Sequence, residues 1–123
     1  MPRARNGHVE IEYEVFGDTA DPTIIVTPGL GNQMLLYPEE LCEAFVDRGF
    51  SVIRIDNRDA GLSSVTTDDD AYTLHDMGDD VVAVLDHAAV GKAVVMGMSL
   101  GGMIAQTVAI DHPDRTLALV SVS

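Results

Sequence analysis

Three short β-branched or apolar runs, Thr23–Thr27, Ser51–Ile55 and Ala93–Met96, each lead through a loop or turn into a segment of helical spacing. None of the three alternates apolar with polar residues, so each reads as a strand buried on both faces. The first helix opens at Pro38, with Glu39 and Glu40 at its positive end, has Leu41, Phe45 and Val46 recurring on one face, and stops at Gly49. The second runs from about Leu74 to Ala89 with Met77, Val81, Val84, Leu85 and Ala88 on one face, and Gly91 closes it. The third runs from Leu100 to Asp111 and is stopped by His112-Pro113, after which Leu117–Val122 is a last apolar strand. Strand and helix in strict alternation give βαβ crossovers, hence an α/β fold built on a mostly parallel sheet with helices on both faces. His8–Phe16 differs: Val9, Ile11, Tyr13 and Val15 alternate with Glu10, Glu12 and Glu14, as in an antiparallel edge strand with one wet face.

Composition narrows the function. The 123 residues fit a single domain, and no repeat or linker divides them. Twenty acidic residues against 7 basic ones give a net charge of −13, which repels nucleic-acid phosphates and anionic membranes alike. Lys92 is the sole lysine, so no polybasic patch exists. A single cysteine, Cys42, forms no internal disulfide or cysteine zinc site and suits a reducing compartment; it is expected to be an inert buried thiol. Met1–Gly7 is basic but leads into the alternating stretch rather than an apolar core, so no signal peptide is expected. No apolar run reaches the roughly 20 residues of a membrane span, and a cytoplasmic protein is expected.

The sharpest motif is Gly97-Met98-Ser99-Leu100-Gly101, followed by Gly102. It lies between a buried strand and an apolar helix, the context in which G-x-S-x-G presents a nucleophilic serine on a strained turn. Gly97 and Gly101 would be required because side chains there would strike the neighbouring strand and helix. The helix directs its free N-terminal amides toward Ser99, where they favour a developing oxyanion. The competing reading is an ordinary glycine-rich connection whose serine caps the helix. A phosphate loop fits worse, because neither G-x-x-x-x-G-K-[ST] nor G-x-G-x-x-G is present. A second cluster, Pro28-Gly29-Leu30-Gly31, follows another buried strand. An oxyanion hole takes one amide from the residue after the nucleophile, here Leu100, and one from such a loop, here Leu30, with Gly29 and Gly31 freeing the backbone to turn.

These motifs, with Asp56-Asn57-Arg58-Asp59-Ala60-Gly61-Leu62-Ser63 and the Tyr72–Asp86 segment in order, resemble the N-terminal half of an α/β-hydrolase over essentially the whole chain. The resemblance is to the proline-iminopeptidase-like and anthracycline-methylesterase-like esterases. It implies Ser99 as nucleophile and the amides of Leu30 and Leu100 as oxyanion hole, with no cofactor. Pro28 stands where many relatives have histidine, and Asp59 where many have glycine. Serine rather than aspartate at position 99 argues against a haloalkane dehalogenase or epoxide hydrolase.

A serine nucleophile needs a base oriented by an acid, ordered Ser, Asp/Glu, His in this fold. After Ser99 the only histidine is His112, at the far end of the following helix and about 20 Å away at 1.5 Å per residue. His8 lies on the edge strand and His87 near a helix C-terminus. His75, near a helix N-terminus, could approach the sheet's carboxyl edge, though a capping or surface role fits it better. Asp79, Asp80 and Asp86 read as a solvated helix face, and Asp56, Arg58 and Asp59 as a loop tied by an ion pair. No metal-ligand spacing is present. The expectation is therefore residues 1–123 as the N-terminal portion of a hydrolase domain, a serine esterase inactive as this chain alone. A complementary C-terminal segment or second chain would supply the acid, the histidine and the cap, and would cover the apolar Leu117–Val122 edge. The substrate would be a small-molecule ester or amide. An aminopeptidase-like or haloperoxidase/perhydrolase-like activity would use the same half-site, and a non-catalytic interaction half-domain is the alternative of a different class.

Overall fold

The computed structural model describes residues 2–7, 9–27, 38–56 and 73–122. The strands are β1 (Arg3–Asn6), β2 (Val9–Phe16), β3 (Thr23–Thr27), β4 (Ser51–Ile55), β5 (Ala93–Met98) and β6 (Thr116–Val122). The helices are α1 (Glu39–Asp47), α2 (Leu74–His87) and α3 (Leu100–Asp111). They form one six-stranded sheet in the order β1-β2-β4-β3-β5-β6. β4, β3, β5 and β6 run parallel to one another, while β2 pairs antiparallel with β4 and β1 antiparallel with β2. This is the expected mixed α/β sheet.

Of the three runs without alternation, β3 and β4 are buried at every residue, whereas β5 is not buried on both faces as expected, Val94 and Met96 being only half-buried. The larger core cluster joins Ile25, Ile53 and Val95 of the sheet to Val81, Val84 and Leu85 of α2 and Ile104, Ala105 and Val108 of α3. On the opposite face a smaller cluster gathers Ile24, Val26 and Val52 around Cys42 of α1. Cys42 is buried as expected, and burial pushes its thiol pKa up. Arg54 of β4 is buried too; its guanidinium meets Glu14 at 2.9 Å and lies 5.0 Å from the Phe16 ring centroid.

The structure corrects the sequence reading in four places. β2 is antiparallel but not the edge, because β1 lies outside it. Its glutamates do not all face water: Glu12 is buried, 3.5 Å from Arg3, while Glu10 pairs with both Arg3 and Arg5, which hold its carboxyl below the usual range. Asp80 is not on a solvated face, since it is buried and accepts a 2.8 Å hydrogen bond from Asn6. Finally, α2 ends at His87, and the residue that takes the left-handed turn is Ala89 (φ 59°) rather than Gly91. The solvated reading does hold for Asp79 and Asp86, which are exposed and paired with His112 and Arg115. Asp56 is buried, and Arg58 and Asp59 lie outside the described residues.

Candidate active site

The carboxyl ends of β3 and β5 lie side by side, with Thr27 paired to Gly97. Crevices at such ends are where open α/β sheets bind ligands. One residue separates β5 from α3, and it is Ser99. Its backbone takes φ 54°, ψ −120°, a region that costs a non-glycine residue about 1–3 kcal/mol. Three contacts hold that conformation. The Ser99 N–H donates to the Val122 carbonyl of β6 at 2.7 Å, and the Ser99 carbonyl accepts from Met103 N–H at 3.1 Å. The Thr27 hydroxyl donates to the Gly101 carbonyl at 2.8 Å.

Ser99 sits at the N-cap position of α3, yet its side chain makes no capping hydrogen bond. A capping serine has an extended backbone and accepts from the first turn, as Thr73 does at α2. Ser99 does neither, so the competing capping role is not what its geometry provides. The side chain is exposed at the end of the strand, and the first-turn amides of α3, beginning with Leu100, have no partner within the helix.

The glycines flanking the turn are there for contact. A Cβ at Gly97 would stand 2.1 Å from the Gly101 carbonyl oxygen and 2.5 Å from Thr27 Oγ1. A Cβ at Gly102 would stand 2.6 Å from Ser121 Oγ and 3.2 Å from the Gly97 carbonyl. The absence of side chains thus lets the first turn of α3 lie directly on β5 and β6. Gly101 is itself buried in that contact. Leu30, Gly29 and Gly31 lie outside the described residues, as does His8.

Each described histidine is engaged elsewhere. His112 caps the C-terminus of α3 and pairs with Asp79 at 2.8 Å. His87 Nδ1 meets the Tyr13 hydroxyl at 2.5 Å, their rings edge to face. His75 does not approach the carboxyl edge near Ser99. It pairs with Asp111, the last residue of α3, about 18 Å along the helix from the serine. The hydrogen bond that His75 Nδ1–H donates to Asp111 raises the His75 pKa, with a further contribution from the carboxylate's charge. Among the described residues, no group of three or more His, Cys, Asp or Glu converges as a metal site would require, and no helix is long and apolar enough to cross a membrane.

Sequence reasoning missed Thr27. The signal was a hydroxyl at the buried end of β3 immediately before a glycine cluster, where an unpartnered polar group would be costly.

A mixed sheet with a strained serine between a central parallel strand and an apolar helix defines the hydrolase class of α/β proteins. The family model for the alpha/beta hydrolase fold matches residues 22–123, and the chain belongs to that family. It is 39% identical over 119 residues to rhodomycin D methylesterase DnrP of Streptomyces peucetius, covering 93% of this chain and 39% of the relative. To 3-oxoadipate enol-lactonase 2 of Acinetobacter baylyi it is 33% identical over 107 residues, covering 87% of this chain and again 39% of the relative. Among solved structures, Est816, an N-acyl homoserine lactone degrading enzyme, superposes with a TM-score of 0.87 at 32% identity, over 98% of this chain and 44% of its own. The chain therefore spans less than half the length of the relatives it matches.

Proposed function

We propose that this chain carries the nucleophile half of a serine hydrolase that cleaves small carboxylic esters, lactones included, through an acyl-enzyme on Ser99. The observation that carries the reading is the backbone of Ser99, held at φ 54° with its side chain free of any cap and at the head of α3. In the mechanism, the Ser99 hydroxyl attacks the ester carbonyl and forms a bond to its carbon. The amides of Leu100 and Leu30 receive the negative oxygen of the tetrahedral intermediate. Collapse expels the alcohol and leaves the acyl group on Ser99, and water then releases the acid. Proton transfer in both steps falls to a histidine oriented by an Asp or Glu, brought by a complementary C-terminal segment or a second chain.

Two observations support the need for that segment. Every described histidine is engaged away from Ser99. β6 is also apolar on both faces, with Leu117, Leu119, Val120 and Val122 all exposed, as a strand made for the inside of a parallel sheet would be. The similarity to a methylesterase and an enol-lactonase favours ester over amide cleavage. Buried Cys42, the sole cysteine, fits a reducing, cytoplasmic setting. The test is hydrolysis of p-nitrophenyl acetate and simple methyl esters by the protein with its completing segment. Burst kinetics that vanish in Ser99→Ala are expected; turnover unchanged in Ser99→Ala would refute the assignment.

A further inference from the structure

Thr27 is fully buried at the end of β3, and its hydroxyl does more than satisfy itself locally. It reaches across to α3 and donates to the Gly101 carbonyl at 2.8 Å. That carbonyl belongs to the first turn of the helix, where the i to i+4 pattern already gives each C=O one backbone donor. Thr27 thus uses the oxygen's second lone pair and ties the helix to the neighbouring strand. The tie lies where the packing is tightest, since Gly97 faces both Thr27 Oγ1 and the Gly101 carbonyl with no room for a Cβ. On its other flank the same turn is held by the Ser99 N–H to Val122 bond. The first turn of α3 is therefore clamped from β6 at residue 99 and from β3 at residue 101.

We infer that Thr27 is a positioning residue for acyl transfer: by holding the Gly101 carbonyl it fixes the first turn of α3 and so aims the Leu100 amide at the oxyanion. The inference rests on the proposed nucleophilic role of Ser99. Thr27 touches neither substrate nor the reacting atoms. Its contribution is expressed in the transition state, because the oxyanion forms only there and a misaimed amide costs little in the ground state.

The experiment compares Thr27→Val, which keeps the shape and removes the donor, with Thr27→Ser, which keeps the donor, in the protein with its completing segment. For p-nitrophenyl acetate, Thr27→Val is expected to lower kcat about tenfold with KM changed less than about twofold. Thr27→Ser is expected to retain kcat within about twofold of the parent. Thr27→Ala, which removes the donor without adding a methyl group against the carbonyl, is expected to match Thr27→Val and serves if the valine variant does not fold. Equal losses in the serine and hydroxyl-free variants, or full kcat without the hydroxyl, would overturn the inference. Fluorophosphonate labelling separates the two layers of argument. A parent protein that does not label at Ser99 refutes the nucleophile; a parent that labels while a hydroxyl-free variant labels as fast refutes only the role of Thr27.

Discussion

Replacing Gly97 by alanine adds one methyl group where the structure has no place for it. The new Cβ would lie 2.1 Å from the Gly101 carbonyl oxygen, 2.2 Å from its carbon and 2.5 Å from Thr27 Oγ1. The first two are backbone atoms of a helix clamped on both sides, so no side-chain rotation can relieve the clash. Gly97 is not among the positive-φ glycines, which means that contact and not backbone freedom dictates its identity. Inserting a methyl group into a packed core costs about 1–3 kcal/mol, and a rigid backbone neighbour places this one at about 3. That corresponds to a factor of about 100 in the folded-to-unfolded ratio. With a urea m-value of about 3 kcal/mol/M, the unfolding midpoint falls by about 1 M. Gly91→Ala is the control: nothing lies within 4 Å of its Cβ and its φ is not positive, so it should gain about 0.5 kcal/mol. Urea unfolding followed by far-UV circular dichroism reads both. A Gly97→Ala midpoint within about 0.2 M of the parent would show that α3 does not sit on β5 as described.

Four further outcomes follow from the backbone and from one charge pair. Ser99→Gly should be more stable than Ser99→Ala by about 1–2 kcal/mol in thermal unfolding, because glycine relieves the strain at φ 54° and alanine does not. Ala89→Gly should stabilise by about 1 kcal/mol in the same measurement, since φ is 59° there and a left-handed residue after a helix favours glycine. The His75 pKa is raised in the folded state by Asp111, so the pair's stabilisation is fully present below the unfolded value near 6.5 and is lost as pH rises through the folded value. The midpoint difference between parent and His75→Ala should accordingly be larger at pH 6 than at pH 8. In NMR titration the imidazole midpoint should fall in Asp111→Asn.

The central parallel strands and α3 were legible in the sequence because burial on both faces removes polar residues from a strand and glycines punctuate the helix ends. The limits of β3 and β4 follow from the first signal, and α3 is bounded by the glycine turn before Leu100 and by His112-Pro113 after Asp111. β1 was not legible. Arg3-Ala4-Arg5-Asn6 has no apolar pattern, and its pairing comes from the β2 ladder and from Arg3 and Arg5 meeting Glu10. The same interaction hid the burial of Glu12, since alternation marks a glutamate as wet unless a partner arginine is known. Asp80 was misread for a like reason: its partner Asn6 is 74 residues away in sequence. The turn between β5 and α3, with Gly97, Ser99, Leu100 and Gly101, was legible from one pentapeptide in context. Thr27 was legible only as a buried hydroxyl in need of a partner, because that partner is a backbone carbonyl on another element.

The most direct test of Ser99 as nucleophile is covalent. The protein with its completing segment is treated with a fluorophosphonate, digested, and mapped by mass spectrometry. One adduct on Ser99, absent from Ser99→Ala, is the predicted result; an intact, unlabelled Ser99 in the assembled protein would contradict it.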